Sequence, residues 1–339
     1  DCGGTPLEVM VKSDPQSLRV ESVSFSPRID RVYLYLRSMD AKPVPRAQVL
    51  VDGKDVGRRL QWTAGPAGSG IALAEVALET AWLPGTFHLL EARVPDGAAI
   101  AQVVRAWDSY FAIGLFGTVD DARVAAARQH GVNTYFSGPA EPLQKHGMNL
   151  VPHGAVDETY RRAKPGDTGA LFYYNIDEPD AHDWRASDKL PCMDRLGLRA
   201  QSEVLPIQRE QRRADRVTPN LLLVDNTYKP LNWYVYGQIP DVFSTDPYVP
   251  LNGRQVDYVW QALDAARDAC APRPVVSVLW ACGLDDPNRR FGKRPPTPEE
   301  ERLMAYYAIG SGVKGVGYFI DLTQMTGEGQ FTGLSDVPD

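Results

Sequence analysis

Apolar and polar positions along this chain follow two different rhythms. Over the first hundred residues the apolar positions alternate with polar ones in short β-branched runs. These are Arg31–Leu36, Ala47–Val51, Ile71–Leu78 and His88–Val94. Turn pairs separate them: Asp52-Gly53, Pro84-Gly85 and Asp96-Gly97. Period-two alternation broken by turns every ten or so residues predicts antiparallel strands in an Ig-like β-sandwich. Within it, VLVDGKDV reads as a hairpin turning on Asp-Gly. The stretch Trp62–Gly70, rich in Gly, Pro and Ala, reads as an exposed loop.

After about Val104 short apolar strands alternate with amphipathic helices. Eight strand candidates follow: Phe111–Phe116, Thr134–Ser137, Leu150–His153, Leu171–Ile176, Leu221–Asp225, Val242–Thr245, Val275–Leu279 and Val316–Ile320. Helices are predicted over Val119–Gln129, Gln255–Cys270 and Thr297–Ile309. In the third, Pro298 opens the helix and Glu299, Glu300 and Glu301 fill its first turn, suiting the positive helix N-terminus. Buried strands alternating with helices give an α/β fold, and eight of them favour a closed (β/α)₈ TIM-type barrel. The expected organisation is a sandwich over residues 1–105 and a barrel over 106–339. An open doubly wound sheet is second choice, and no G-x-G-x-x-G follows the first strand to support a dinucleotide site. The 18 residues after Asp321 are polar and Gly-rich and do not read as an eighth helix.

Composition narrows the function. The 339 residues carry a formal net charge of -7 and no basic run, which argues against a nucleic-acid partner. No segment approaches the roughly 18 apolar residues needed to span a bilayer. No signal peptide opens the chain, which starts at Asp1 rather than Met; it is expected to be trimmed, which leaves export open, and a secreted, periplasmic or cell-surface location is expected. Cys2, Cys192, Cys270 and Cys282 form no C-x-x-C pair, so free thiols or one disulfide are both compatible with the spacing. Histidines are scattered, with no H-x-H or H-x-x-x-H, and neither a metal nor another cofactor is expected. No G-x-S-x-G is present.

In a (β/α)₈ barrel the chemistry lies where the strands end. Strand four ends in YYNIDEPD, placing Asn175, Asp177, Glu178 and Asp180 at that rim. Carboxylates beside a core are costly unless paired or used. Neighbouring residues of a regular strand face opposite ways, so both acids reach one pocket only if the backbone turns out at its end. Pro179 helps, because it ends the ladder. Glycoside hydrolysis needs one carboxyl group to protonate the leaving oxygen and a second group to manage the developing cation. Glu178 suits the acid, since a neighbouring carboxylate and partial burial favour its protonated form. Asp177 is then its partner. The bland alternative has the pair capping the next segment or bonding Arg185. Strand seven, PVVSVLWACG, offers no carboxylate before Asp285, so the two-Glu arrangement of most retaining barrel glycosidases is not visible. Other rim acids are Asp225, Asp246 and Asp321. Aromatic residues at the strand ends, Tyr135, Tyr173, Tyr174, Tyr228, Trp233, Tyr248 and Trp280, suit stacking on sugar faces. Tyr248 and Trp280 stand out among them. His153, ending strand three, is a candidate for a sugar hydroxyl.

The order of sandwich, barrel with Asp-Glu-Pro at strand four, then TPEEERLMAYYAIGSGVKGVGYF resembles the glycoside hydrolase family 123 group of N-acetyl-β-hexosaminidases. The resemblance implies substrate assistance: the 2-acetamido oxygen attacks the anomeric carbon, Asp177 stabilises that amide and Glu178 is acid, then base. It also accounts for the missing strand-seven Glu. A glycosidase of other specificity, with Glu178 as acid and Asp246 as nucleophile or base, is the near alternative. A carbohydrate-binding or scaffold protein without catalysis is the distant one. An oligo- or polysaccharide is the expected partner.

Overall fold

The computed structural model describes residues 18–23, 30–38, 48–56, 61–64, 71–83, 86–93, 99–105, 110–117, 120–153, 168–186, 197–214, 220–224, 230–237, 239–249, 255–270, 273–285, 294–326 and 329–336. The chain divides into two compact units, Asp1–Tyr110 with Lys164–Gly166, and the remainder.

Among the described residues the first unit holds eight strands in two four-stranded antiparallel sheets. They are β1 (Leu18–Val23), β2 (Arg31–Ser38), β3 (Gln48–Val51), β4 (Lys54–Asp55), β5 (Gln61–Ala64), β6 (Ile71–Ala77), β7 (Phe87–Arg93) and β8 (Ala99–Arg105). One sheet runs β1-β2-β6-β5 and the other β4-β3-β7-β8. The expected Asp-Gly turn forms, with Asp52 at φ 50° and Gly53 at φ 78°. Two left-handed residues give the turn twist that joins tightly paired strands. Asp52 also ties the turn to β7, accepting from the Leu89 N–H at 2.8 Å and meeting His88 Nδ1 at 2.7 Å. Trp62–Ala64, expected in a loop, belongs instead to strand β5. It pairs along β6 from Gln61↔Glu75 to Ala64↔Ala72. The backbone ladder outweighs the Gly- and Pro-rich sequence beyond it.

The second unit is a ring of eight parallel strands. These are β9 (Ala112–Phe116), β10 (Thr134–Phe136), β11 (Asn149–Leu150), β12 (Tyr173–Tyr174), β13 (Asn220–Val224), β14 (Val242–Thr245), β15 (Val275–Trp280) and β17 (Gly315–Phe319). Spatial order follows chain order, and β17 pairs back onto β9. The remaining gap, β11 to β12, is bridged by Leu150↔Ala170 and His153↔Tyr174. The Leu171 N–H donates to Leu150 O at 2.8 Å and the Tyr174 N–H to Pro152 O at 2.9 Å. Every strand therefore has two neighbours.

Helices α1 (Asp121–Gln129), α2 (Ala140–Lys145), α3 (Pro179–Ala186), α4 (Leu205–Ala214), α5 (Trp233–Tyr236), α6 (Tyr258–Cys270) and α7 (Pro298–Gly310) lie in the connections. Helix α7 starts with a capping box: Thr297 accepts from the Glu300 N–H while the Glu300 side chain accepts from the Thr297 N–H. Asp120 caps α1 by accepting from the Arg123 N–H. Outward-facing strand residues such as Leu222, Val224, Phe243, Val275 and Leu279 pack on the helices in one continuous core. Inside the ring the filling is aromatic. Phe116 stacks on Phe136 at 4.7 Å and meets Phe319 and Tyr174 edge-on. Room for Phe136 comes from Gly114 and Gly317, where an added Cβ would fall 2.4 and 2.9 Å from its ring.

Beyond the last ring strand the chain forms no α-helix among the described residues. Strands β18 (Gln324–Thr326) and β19 (Gly329–Thr332) make a hairpin that joins β16 (Gly283–Asp285) in a three-stranded antiparallel sheet.

Candidate active site

Strand β12 is fully buried at Tyr173 and Tyr174, and the chain then leaves the ring. Asn175 and Ile176 are partly buried, Asp177 is exposed, and Glu178 is partly buried. Glu178 has φ +40°, the left-handed region that costs a residue with a Cβ about 1–3 kcal/mol. That backbone reversal supplies the turning-out that two adjacent acids need to share one side of the rim. The backbone is strained at Glu178, immediately before helix α3.

Helix α3 begins at Pro179 and is anchored by two buried acids. Asp180 accepts from Trp233 Nε1 at 3.2 Å. Asp183 accepts from the Tyr236 hydroxyl and, at 2.7 Å, from the Arg199 N–H. Asp180 and Asp183 are 1% and 0% exposed, so both have left water for these bonds. Burial pushes the Asp183 carboxyl above the usual carboxylate range, against the Tyr236 bond, which lowers it. Asp180 and Trp233 thus serve the helix next to the acid pair. Tyr236→Phe leaves one Asp183 oxygen buried without that donor and should cost about 2 kcal/mol. That corresponds to a Tm lower by roughly 4–8 °C in thermal unfolding followed by circular dichroism.

The charges of three carboxylates act on two phenols at the strand ends. The Tyr174 hydroxyl donates to Asp177 Oδ1 at 2.6 Å. Burial, first, then the charge of Asp177, this hydrogen bond, and the charges of Asp246 and Glu178 hold the Tyr174 phenol well above its ordinary pKa. Tyr248 is raised too, by burial and by the charges of Asp246, Glu178 and Asp177 in that order. Two phenols from separate strand ends therefore sense the same three acids. Asp246 ends β14, only 1% exposed, and its carbonyl accepts from the Tyr248 N–H at 2.7 Å, folding Tyr248 back over the ring.

An aromatic wall continues from Tyr248. Its ring meets Trp280 at 5.2 Å and Phe319 at 5.7 Å. Phe331, from β19, closes against Trp280 at 5.8 Å and Phe319 at 5.5 Å. The Phe319–Ile320 peptide beside it is cis. Sequence reading missed Phe319 and Phe331; the first lies in a strand that also reads as core, and the second reaches the wall only through the hairpin. His153 meets Tyr174 at 4.1 Å between ring centroids, tilted by 42°. Loss of surrounding water lowers its pKa, while nearby Asp177 pulls the other way.

The other candidates sit elsewhere. Tyr135 is fully buried in the cluster of Leu115, Val124, Leu143, Met148 and Leu150, beneath α1 and α2. Its hydroxyl reaches Asp321 Oδ2 at 3.4 Å. Asp321 is itself buried, accepts from the Ser335 hydroxyl, and donates its N–H to Phe116 O at 2.8 Å. This pair ties the last ring strand to the first two. Asn175 donates its backbone N–H to Leu221 O at 3.1 Å, and both side-chain amide atoms are buried without a hydrogen-bond partner. Asp225, Tyr228, Cys2, Cys192 and the Arg185 side chain lie outside the described residues. Cys270 and Cys282 are free and buried. Among the described residues no group of His, Cys, Asp and Glu is arranged to hold a metal ion, and no helix is long and apolar enough to cross a membrane.

The sequence matches no family model and no curated protein. Its fold is similar to that of solved structures. A calcium-binding mutant of Bacteroides uniformis β-glucuronidase 2 aligns with a TM-score of 0.50 at 13% identity, over 95% of this chain and 48% of its own. A β-galactosidase from the Antarctic haloarchaeon Halorubrum lacusprofundi gives 0.45 at 15% identity, over 68% of this chain and 56% of its own. The chain thus spans about half the length of the β-glucuronidase, and the likeness is one of fold.

Proposed function

We propose that the protein is a glycoside hydrolase acting on a β-linked 2-acetamido sugar, with Glu178 as proton donor and Asp177 as the group that holds the acetamide. The observation that carries this reading is the convergence of Asp177, Glu178 and Asp246 on the phenols of Tyr174 and Tyr248, beside the Trp280 wall. It lies at the strand ends, where barrel enzymes do their chemistry. Fold likeness to a β-glucuronidase agrees with a glycosidase. The two antiparallel sheets of the first unit are read as an Ig-like sandwich.

In this mechanism the acetamido oxygen attacks the anomeric carbon as the bond to the leaving oxygen breaks. Glu178 gives its proton to that oxygen. Asp177 accepts the amide N–H and offsets the positive charge of the cyclised sugar. A water then adds to the anomeric carbon, losing its proton to Glu178 and displacing the acetamido oxygen, which restores the amide, and the sugar leaves with its configuration retained. Tyr248, partly exposed and in contact with the buried Trp280, offers an apolar face for the sugar ring, with the exposed His153 for a hydroxyl.

A second reading rests on Asp246, whose charge acts on the same two phenols. There Asp246 is nucleophile or base, and the acetamide has no part. Paired assays separate the two. An aryl 2-acetamido-β-glycoside should turn over at least about 100-fold faster than its 2-hydroxy analogue, matched in leaving group, the scale of an effective intramolecular nucleophile. Equal rates would exclude substrate assistance and leave the Asp246 reading.

A further inference from the structure

The acid pair needs more than proximity, because Asp177 is exposed and an exposed carboxylate samples several rotamers. One contact restricts it. Tyr174 Oη stands 2.6 Å from Asp177 Oδ1, within the range of a strong hydrogen bond to a charged acceptor. The donor is rigid. Tyr174 is 1% exposed, its backbone is tied to Pro152, and its ring is pinned between Phe116 and His153. A phenol held this way has no freedom to follow its acceptor, so the acceptor must come to it.

We propose that Tyr174 is a positioning residue, fixing Asp177 Oδ1 so that the second oxygen is presented to the acetamide N–H of the substrate. This rests on the acid-pair reading above. One oxygen is committed to the protein and the other is left for the sugar, so the carboxylate meets the amide in one orientation instead of many. Tyr174 itself touches no reacting atom. Its influence passes entirely through Asp177.

That restriction to a single route gives the test. Tyr174→Phe removes one oxygen and keeps the ring in its contacts with Phe116 and His153. On the aryl 2-acetamido glycoside, kcat should fall about 10- to 100-fold, the loss expected for a hydrogen bond to a charged group. KM should stay within about twofold. Residual turnover of the 2-hydroxy analogue, which has no acetamide N–H for Asp177 to orient, should fall less; a damaged fold would slow both substrates alike. In the Asp177→Asn background the Tyr174→Phe change should add no further loss, as for residues that act as a unit. The folded wild type offers a check that needs no variant of Tyr174: a slowly exchanging phenol proton whose resonance moves in Asp177→Asn. Its absence overturns the proposal, as does a Tyr174→Phe enzyme with unchanged kcat on the acetamido substrate. A wild type indifferent to the acetamido group would instead defeat the substrate-assisted reading and this role together.

Discussion

Glu178→Gln should lower kcat on a glycoside with a poor leaving group, such as an alkyl 2-acetamido sugar, by about 10²- to 10⁴-fold, the usual contribution of a placed general acid. Glutamine keeps the size and the hydrogen-bonding capacity of glutamate but has no proton to give. An activated aryl glycoside, whose leaving oxygen needs little protonation, should lose far less. Binding of the free 2-acetamido sugar, measured by calorimetry, should stay within a few fold. The position carries a second cost that the substitution leaves in place. Either side chain puts a Cβ on a backbone at φ +40°, so the strain is common to wild type and variant and cancels in the comparison. A uniform loss on both substrates would point to misplacement of the strand end instead of lost proton donation.

That strand end shows how much of the site was legible in the sequence. YYNIDEPD placed two acids and a proline after an aromatic strand, and barrel topology puts them at the C-terminal ends of the strands. The Asp-Gly hairpin and the Pro298 start of α7 were also legible, because short-range backbone chemistry decides both. Strand β14 falls at the expected Val242–Thr245. Strands β1 and β8 went unread: LRVESV lies among residues of mixed polarity, and AIAQVVR is a mostly apolar run with little alternation. What the sequence hides is long-range pairing. Tyr135 and Asp321 are 186 residues apart, and Asp180 finds Trp233 across 53. Tyr135 and Trp233 both looked like rim aromatics because strand ends and strand-to-helix contacts share the same residues. Only the partner separates a ring that faces a ligand from one that holds a helix.

Glu301 is the sharpest such case, and it yields the second large effect. In sequence it is one of three glutamates in the first turn of α7, where the helix dipole favours negative charge by about 0.3–1 kcal/mol. Yet positions 301, 304 and 308 share a face, and Met304 and Ala308 are fully buried. Glu301 goes in with them. Both its carboxylate oxygens are buried without a hydrogen-bond partner. Burial, then the charge of Glu300, pushes its pKa up to about 8. Desolvation of a carboxylate is worth several kcal/mol and outweighs the dipole.

Stability should therefore depend on pH in one direction. In the unfolded chain Glu301 releases its proton near the ordinary value of 4.5, and in the folded protein near 8. Between these the folded state holds a proton that the unfolded state has lost, so stability falls as pH rises. Below about 4.5 the group contributes no difference, and above about 8 the full penalty is reached, roughly 3–5 kcal/mol. Glu301→Gln is neutral throughout and escapes the penalty. In urea unfolding, variant and wild type should agree at about pH 4.5 to within about 1 kcal/mol. At about pH 8.5 the variant should be the more stable by roughly 3 kcal/mol or more. Its advantage should grow steadily across the interval, by up to about 1.4 kcal/mol per pH unit. A constant difference at every pH would mean that the Glu301 side chain ionises alike in both states, as an exposed first-turn glutamate would.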